Sequence, residues 1–523
     1  MLRARCTRRC APRRAWRRSA ALAAPWARLL ATTLLTAAAA CAAAAAPALP
    51  AAPPQCTPDV TRRIAFGVGS GAHQFEGAGG GAAPSVWEPY IAANPKATAD
   101  GTNASLGAGF LTRAPADVAL LKRLGARHFR LSISWPRLLP GAVKGSPPNP
   151  EAVEFYTSLL DGLLAAGIEP LVALYHWDMP QALQEAYGGF TSPKVVDDYL
   201  HFADTAFRLF GPKVKTWLTF IEPSVICNQQ YGNGQFAPGI DYGDKGRYAC
   251  GHQVLLAHAA AARLYRARYA PAQGGRLSFS ALVTWPEPAG GGAADKAAAQ
   301  NKLDAEVGWF LDPIFSGDYP ASLRASKGAA LPRFAPSEVA SLRGSLDFVA
   351  ANCFAAKWVW AAPANANGWR EGKAHPGNKS VIGKPSGISW IDVAPWSQER
   401  MLTYIQKRYG DPQILISSSG VMGPGEAAAP KAQQLQDSFR LEYLRSYLDS
   451  VCRAVKASRV RLIGWYAWSF LDAWEWREGY TTKFGVVRVE YKGGSLAREP
   501  KASALWLSRH FFGANGAAAV PHA

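Results

Sequence analysis

The sequence has no acidic residue before Asp59, no Cys-x-x-Cys pair, no lysine and arginine stripe in its body, and no linker that divides it. Each absence removes a class. Without Cys/His spacing there is no zinc motif. The formal charge of +19 is concentrated: residues 1–28 hold nine arginines, and removing them from the 57 basic residues leaves 48 against 38 acidic, or +10. A body so mildly basic gives no reason to expect nucleic acid as a partner. What is present is a chain of 523 residues with 49% apolar and 18% charged content, enough to bury a large core and too apolar to stay disordered.

The first 56 residues read as a targeting leader. An arginine-rich start is followed by an uncharged Ala/Leu/Thr run from Leu29 to Ala46. That pattern suits a secretory signal peptide, with an organellar (for example plastid) transit peptide and a retained anchor as alternatives. Secreted or endomembrane localisation is the leading expectation, with no stable membrane span once the leader is removed. Cys6, Cys10 and Cys41 fall in the leader, and Cys56, Cys227, Cys250, Cys353 and Cys452 are too scattered to read as a disulfide framework. The sequons Asn103-Ala104-Ser105 and Asn378-Lys379-Ser380 agree with secretion.

From Ile64 onward, short β-rich runs alternate with longer helical patterns. Eight runs can be counted: Ile64–Val68, Arg127–Ser134, Glu169–Tyr175, Val214–Phe220, Leu277–Val283, Leu346–Ala351, Gln413–Ile416 and Arg461–Trp468. Between two of them, Val195, Val196, Tyr199, Ala203, Ala206, Phe207 and Phe210 keep helical spacing until Gly211-Pro212 stops it. Eight βα units without a boundary predict an α/β fold, a (β/α)8 TIM barrel over residues 57–515 with long inserted loops and a tail at 516–523. The Pro/Gly-rich tracts Gly141–Pro150, Pro286–Gly292 and Ala361–Gly387 read as such loops.

Chemistry in such a barrel sits at the C-terminal strand ends. Glu222 follows Trp217-Leu218-Thr219-Phe220-Ile221, where partial desolvation would suit a general acid, although a loop glutamate capping the next helix reads equally well. His176 is a candidate ligand contact or a satisfied core histidine. The tryptophans from Trp465 to Trp476 could stack on sugar faces or simply fill the core.

Taken together, the motifs resemble glycoside hydrolase family 1, the β-glucosidase family. The resemblance runs over roughly residues 60 to 512. It is carried by Phe66–Gly77 (Phe-Gly-Val-Gly-Ser-Gly-Ala-His-Gln-Phe-Glu-Gly), Ser85–Trp87, Phe129–Arg137, Tyr175–Asp178 and Thr219–Pro223. Gly308–Ile314, Gly317–Pro320, and the stretch from Ala467 through Glu475-Trp476 to Gly485 complete it. The resemblance implies a retaining mechanism needing no cofactor or metal, with a β-glucoside or hexose as ligand. By match, Glu222 is the acid/base, Gln74, His176, Trp468, Glu475, Trp476 and Phe484 contact or lie beside the sugar, and Arg130 and Asn352 support the catalytic groups.

The strand-seven position departs from the family. Its pattern is Thr-Glu-Asn-Gly, and this chain reads Ser417-Ser418-Ser419-Gly420, so Ser418 stands at the nucleophile position. Two more departures adjoin it: Ile221 replaces the asparagine before the acid/base residue, and Phe354 replaces a tyrosine that would hydrogen-bond the nucleophile. Retaining hydrolysis needs two carboxyl groups about 5 to 5.5 Å apart. An unactivated serine cannot attack, and losing the neighbouring anion is expected to lower the pKa of Glu222. Glu426, in a Gly/Pro-rich loop eight residues beyond Ser418, is an unpromising substitute. No Gly-x-Ser-x-Gly elbow surrounds Ser418, which argues against an esterase triad. The expectation is a β-glucosidase-like glycosyl hydrolase with strongly impaired retaining hydrolysis and a possible small-anion site near Arg130. The alternatives are a glycosidase or transglycosidase using an external nucleophile, and a non-catalytic sugar-binding scaffold.

Overall fold

The computed structural model describes residues 49–365 and 367–513, so most of the expected leader and the tail at 516–523 lie outside the described residues. Eight strands form the core: β1 (Ala65–Gly69), β2 (His128–Ser132), β3 (Glu169–Tyr175), β4 (Thr216–Ile221), β5 (Arg276–Leu282), β6 (Val349–Asn352), β7 (Ile414–Ser419) and β8 (Leu462–Ala467). All pair in parallel, each with its neighbour in sequence, and β8 closes onto β1. The fold is the expected TIM barrel. Strands covered on both faces read as continuous apolar runs, as in β3, where everything after Glu169 is buried. Leu171, Ala173, Leu218, Ala350, Leu415 and Tyr466, from five strands, pack into one cluster.

The helix Lys194–Phe210 shows why the outer layer holds. Val195, Tyr199, Phe202, Ala203, Ala206, Phe207 and Phe210 are buried along one face, and Trp135 stacks on Phe202 at 5.1 Å. Two of the tracts expected as loops contain strand: Trp285–Pro288 pairs with Ala356–Ala361, which pairs with Trp369–Gly372. Proline is tolerated there because Trp285–Pro288 is an edge strand.

Two expectations need correction. The scattered cysteines do pair: Cys56 with Cys452 and Cys227 with Cys250, leaving Cys353 free and buried. The first pair spans 396 residues and the second 23, separations that only the folded barrel brings together. Cys56, the last residue of the expected leader, is thereby bonded to the folded body. The seventh run also continues past Ile416 to Ser419, because the three serines find hydrogen bonds inside the barrel. No helix among the described residues is long and apolar enough to cross a membrane.

Candidate active site

Glu222 leaves β4 with φ 53° and ψ 65°, in the left-handed region, and Pro223 starts a helical turn at once. The β4–β5 register breaks between Leu218 and Ile221 just before it. A bulge of this kind re-aims the side chain that follows. The conformation is unfavourable for a non-glycine residue and is held by contacts: Glu222 N donates to Ser280 O at 2.7 Å, and Val225 N to Glu222 O at 2.9 Å.

The Glu222 carboxyl is buried and its Oε1 accepts a 2.9 Å hydrogen bond from Asn352 Nδ2. The amide orientation is set from behind, since Ser417 Oγ donates to Asn352 Oδ1 at 2.9 Å and spends its one proton there. Ser280 Oγ, 2.8 Å from Ser417 Oγ, therefore donates to it. Burial raises the Glu222 pKa above the ordinary carboxyl value, against the lowering effects of the Asn352 hydrogen bond and the Arg130 charge. The raised value agrees with the desolvation expected at this strand end.

Ser418, 4% exposed, lies near the end of β7, where the register with β8 breaks between Ile416 and Ser419. Its Oγ accepts a hydrogen bond from Arg130 Nη1, which also donates to Ser417 O at 3.1 Å. Among the described residues no histidine or carboxylate bonds this hydroxyl, and an arginine cannot act as its base. Arg130 is fully buried, its guanidinium 4.8 Å from the Trp468 ring centre, and no carboxylate among the described residues lies within ion-pair distance. Burial pulls its pKa down to about 10, so it remains charged at neutral pH. Ser419, by contrast, is structural: Gln398 Nε2 donates to its Oγ at 2.8 Å, and Tyr443 OH lies 3.1 Å away.

One pocket gathers Arg130, His176, Glu222, Ser418, Trp468, Glu475, Trp476 and Phe484. Gln74 and Asn352 stand behind it. Gln74 Nε2 donates to Glu475 Oε2 at 2.8 Å, and its own Oε1 is buried without a partner among the described residues. His176 Nδ1 is likewise buried and unpartnered, and burial next to Arg130 holds the ring well below its ordinary pKa, neutral. Burial pushes Glu475 up to about 8. Trp476 packs on Trp177 at 4.8 Å and His73 stacks on it at 5.6 Å, so the indole wall is rigid. Unpartnered polar atoms beside fixed indole faces suit a polyhydroxylated ring, whose hydroxyls bond in the plane while its C–H face packs on carbon.

Ile221 and Phe354 also line the pocket, so both departures face the chemistry. Sequence reasoning missed Trp177 and Trp390 as lining residues. Trp177 sat in a recognised motif; Trp390, 44% exposed and packed against Phe354 at 5.6 Å, comes from an inserted segment without one. Glu426 is held elsewhere, 2.8 Å from both Arg440 and Lys501, which also depress its pKa against the effect of burial. A larger cavity lined by His73, Glu76, Ser85, Glu88 and Arg137 contains none of the expected site residues, and its Arg137 is paired with Glu76 at 2.7 Å.

The family model described as Glycosyl hydrolase family 1 matches residues 59–515. The chain belongs to that family. Curated relatives of this family 1 chain include beta-glucosidase 24 of Oryza sativa subsp. japonica, 37% identical over 462 residues, covering 84% of this chain and 91% of that protein. Beta-glucosidase 42 of Arabidopsis thaliana is 38% identical, covering 86% and 93%. Among solved structures, a family 1 β-glucosidase from the fungus Humicola insolens in complex with glucose superposes with a TM-score of 0.83 at 33% identity, covering 89% of this chain and 98% of that one. A mutant rice β-glucosidase in a covalent complex with Glc matches with the same TM-score and identity, covering 88% and 99%.

Proposed function

We propose that this family 1 pocket binds a β-glucoside or its hexose, with Glu222 as the proton donor to a leaving aglycone oxygen. Retaining hydrolysis is strongly slowed because Ser418 stands where a nucleophilic carboxylate is required. The observation that carries the reading is the Ser418 hydroxyl, hydrogen-bonded by Arg130 and lacking any base among the described residues. The relatives named as β-glucosidases and the glucose-bound fungal neighbour support the ligand class. Gln74, His176, Glu475, Trp468 and Trp476 are the proposed sugar contacts, with Phe484 beside them.

The test pairs glucose binding by calorimetry with turnover of a chromogenic β-glucoside. Saturable binding with turnover several orders of magnitude below the ordinary range of about 1 to 1,000 per second is expected. Ordinary turnover refutes the nucleophile part, and absence of binding refutes the ligand part.

The same reading sends the chain through the secretory pathway. The disulfides Cys56–Cys452 and Cys227–Cys250 support it, because such bonds persist in oxidising compartments. So do the exposed sequon asparagines Asn103 and Asn378. Loss of mass on enzymatic removal of N-glycans from the native protein is the expected result; an unglycosylated protein counts against it.

A further inference from the structure

We propose that His73 is a positioning residue for the sugar wall, holding Trp476 from behind, and that a proton accepted by its ring from the side of the adjoining cavity tightens that hold. The proposal rests on the reading of Trp476 as a sugar contact.

Trp476 needs holding. Its φ is 50°, in the left-handed region that a tryptophan enters only when its surroundings impose it, and it opens a turn of three residues, Trp476–Glu478. Trp87, Trp177, Trp474 and His176 surround its ring at 4.8 to 5.7 Å, all tilted or edge-on, between 40° and 66°. Among the described residues only His73 lies parallel to it, at 5.6 Å and 6°. The short helix Ala72–Phe75 explains the placement, because Gln74 reaches Glu475 in the pocket while His73, the residue before it, falls behind the residue after Glu475. One helical turn thus fixes two neighbouring sugar contacts.

The ring is also placed to change charge. Its side chain is 8% exposed, its Nε2 is buried without a partner among the described residues, and its Nδ1 stands 3.9 Å from Glu88 Oε1, beyond hydrogen-bond distance. Packing alone therefore holds the neutral ring. Glu88 is itself fixed, since its Oε2 accepts from Ser85 N at 2.8 Å and Ser85 Oγ at 2.6 Å, which leaves Oε1 for His73. The titratable groups facing His73 are Glu88 from the helix Trp87–Ala93, Arg137 from the turn Trp135–Leu138, and His176 across Trp476. On its own helix Glu76 is paired with Arg137, and beyond Gln74 the carboxyl of Glu475 is engaged. Burial, helped by Arg137 and opposed by Glu88, keeps the ring neutral near pH 7. The cavity of about 210 Å³ that His73 lines with Glu88 and Arg137 gives solvent protons a route to it, since the Glu88 side chain in its wall is half-exposed. Protonation adds attraction to Glu88 Oε1 and a cation–π contact with the Trp476 face. The indole wall is then more rigid before the sugar arrives, and less ordering is lost on binding.

The test is calorimetry of glucose binding to the full chain and three variants between about pH 8 and about pH 5. His73→Ala should weaken binding roughly five- to tenfold across that range, because the wall loses its parallel ring. His73→Phe keeps a ring that cannot titrate, so it should match the unaltered chain within about twofold at about pH 8. Relative to His73→Phe, the unaltered chain should gain roughly two- to tenfold in affinity on acidification. Glu88→Gln should move that gain to lower pH. Equal affinity in His73→Ala and the unaltered chain overturns the positioning role. Coinciding pH profiles for the unaltered chain and His73→Phe, or a difference of the opposite sign, overturn the part assigned to the proton. If His73→Ala does not fold, the His73→Phe and Glu88→Gln profiles still decide. Absence of glucose binding to the unaltered chain at every pH would instead defeat the reading beneath the proposal, so the two failures are distinguishable.

Discussion

Restoring the carboxylate should not by itself restore the catalyst. In Ser418→Glu the new side chain would enter beside Arg130, whose Nη1 already donates to the residue at position 418, so the guanidinium is in place to pair with the carboxylate. What it would lack is the neighbour at position 354, where a phenyl ring offers no hydroxyl. A hydrogen bond to a charged group contributes about 1.5 to 3 kcal/mol, or roughly 10- to 150-fold in rate if it is realised in the transition state. Phe354→Tyr added to Ser418→Glu should therefore raise kcat/KM for a chromogenic β-glucoside by about that factor. The third change has an opposing cost. Ile221 is 1% exposed and packs with Leu218 and Ala350, so Ile221→Asn inserts an amide into an apolar cluster and should destabilise the fold by about 1 to 3 kcal/mol. The triple variant should then be the fastest and the least thermostable of the series. Equal kcat/KM in the single and triple variants would refute the argument that the three departures act as a unit.

Three further outcomes follow from the geometry. Glu475 is held above its unfolded pKa, so the native state binds the extra proton, and stability should fall as pH rises from about 4.5 toward 8; thermal melts should show this slope, and Glu475→Gln should flatten it. Replacing Cys227 and Cys250 together by serine should cost about 3 kcal/mol for the 23-residue loop, read as a lower denaturation midpoint, with an unchanged midpoint as the contrary result. Trp390→Ala should weaken binding of aromatic glucosides up to about tenfold, the worth of one aromatic contact, while leaving glucose affinity unchanged; an equal loss for both would place Trp390 against the sugar instead.

The barrel was legible because its strands are apolar runs and its helices amphipathic, as β3 shows by falling on the residues read from the sequence. β7 was read short because serine carries no hydrophobic signal, and the bonds that bury Ser417 and Ser419 come from Asn352, Gln398 and Tyr443, far away in the chain. The disulfides escaped for the same reason: a 396-residue separation says nothing until strand closure brings both ends together. At the site, Arg130, His176, Glu222, Trp468, Glu475, Trp476 and Phe484 from the quoted motifs meet in one pocket with Gln74 behind it, whereas Trp390 was invisible because an inserted segment has no motif. The raised Glu222 pKa agrees with the desolvation read from the apolar strand that precedes it.

The central claim is that Ser418 does not form a bond to the sugar. Intact-mass measurement after incubation with a 2-deoxy-2-fluoro β-glucoside bearing a good leaving group tests it most directly, since such a substrate slows breakdown of any covalent glycosyl-enzyme. The account predicts an unchanged mass for this chain and a gain of one fluoroglucosyl unit for the variant carrying Ser418→Glu and Phe354→Tyr. A stoichiometric gain of that unit on the unaltered chain, mapped to Ser418 or to any other residue of the pocket, would contradict it.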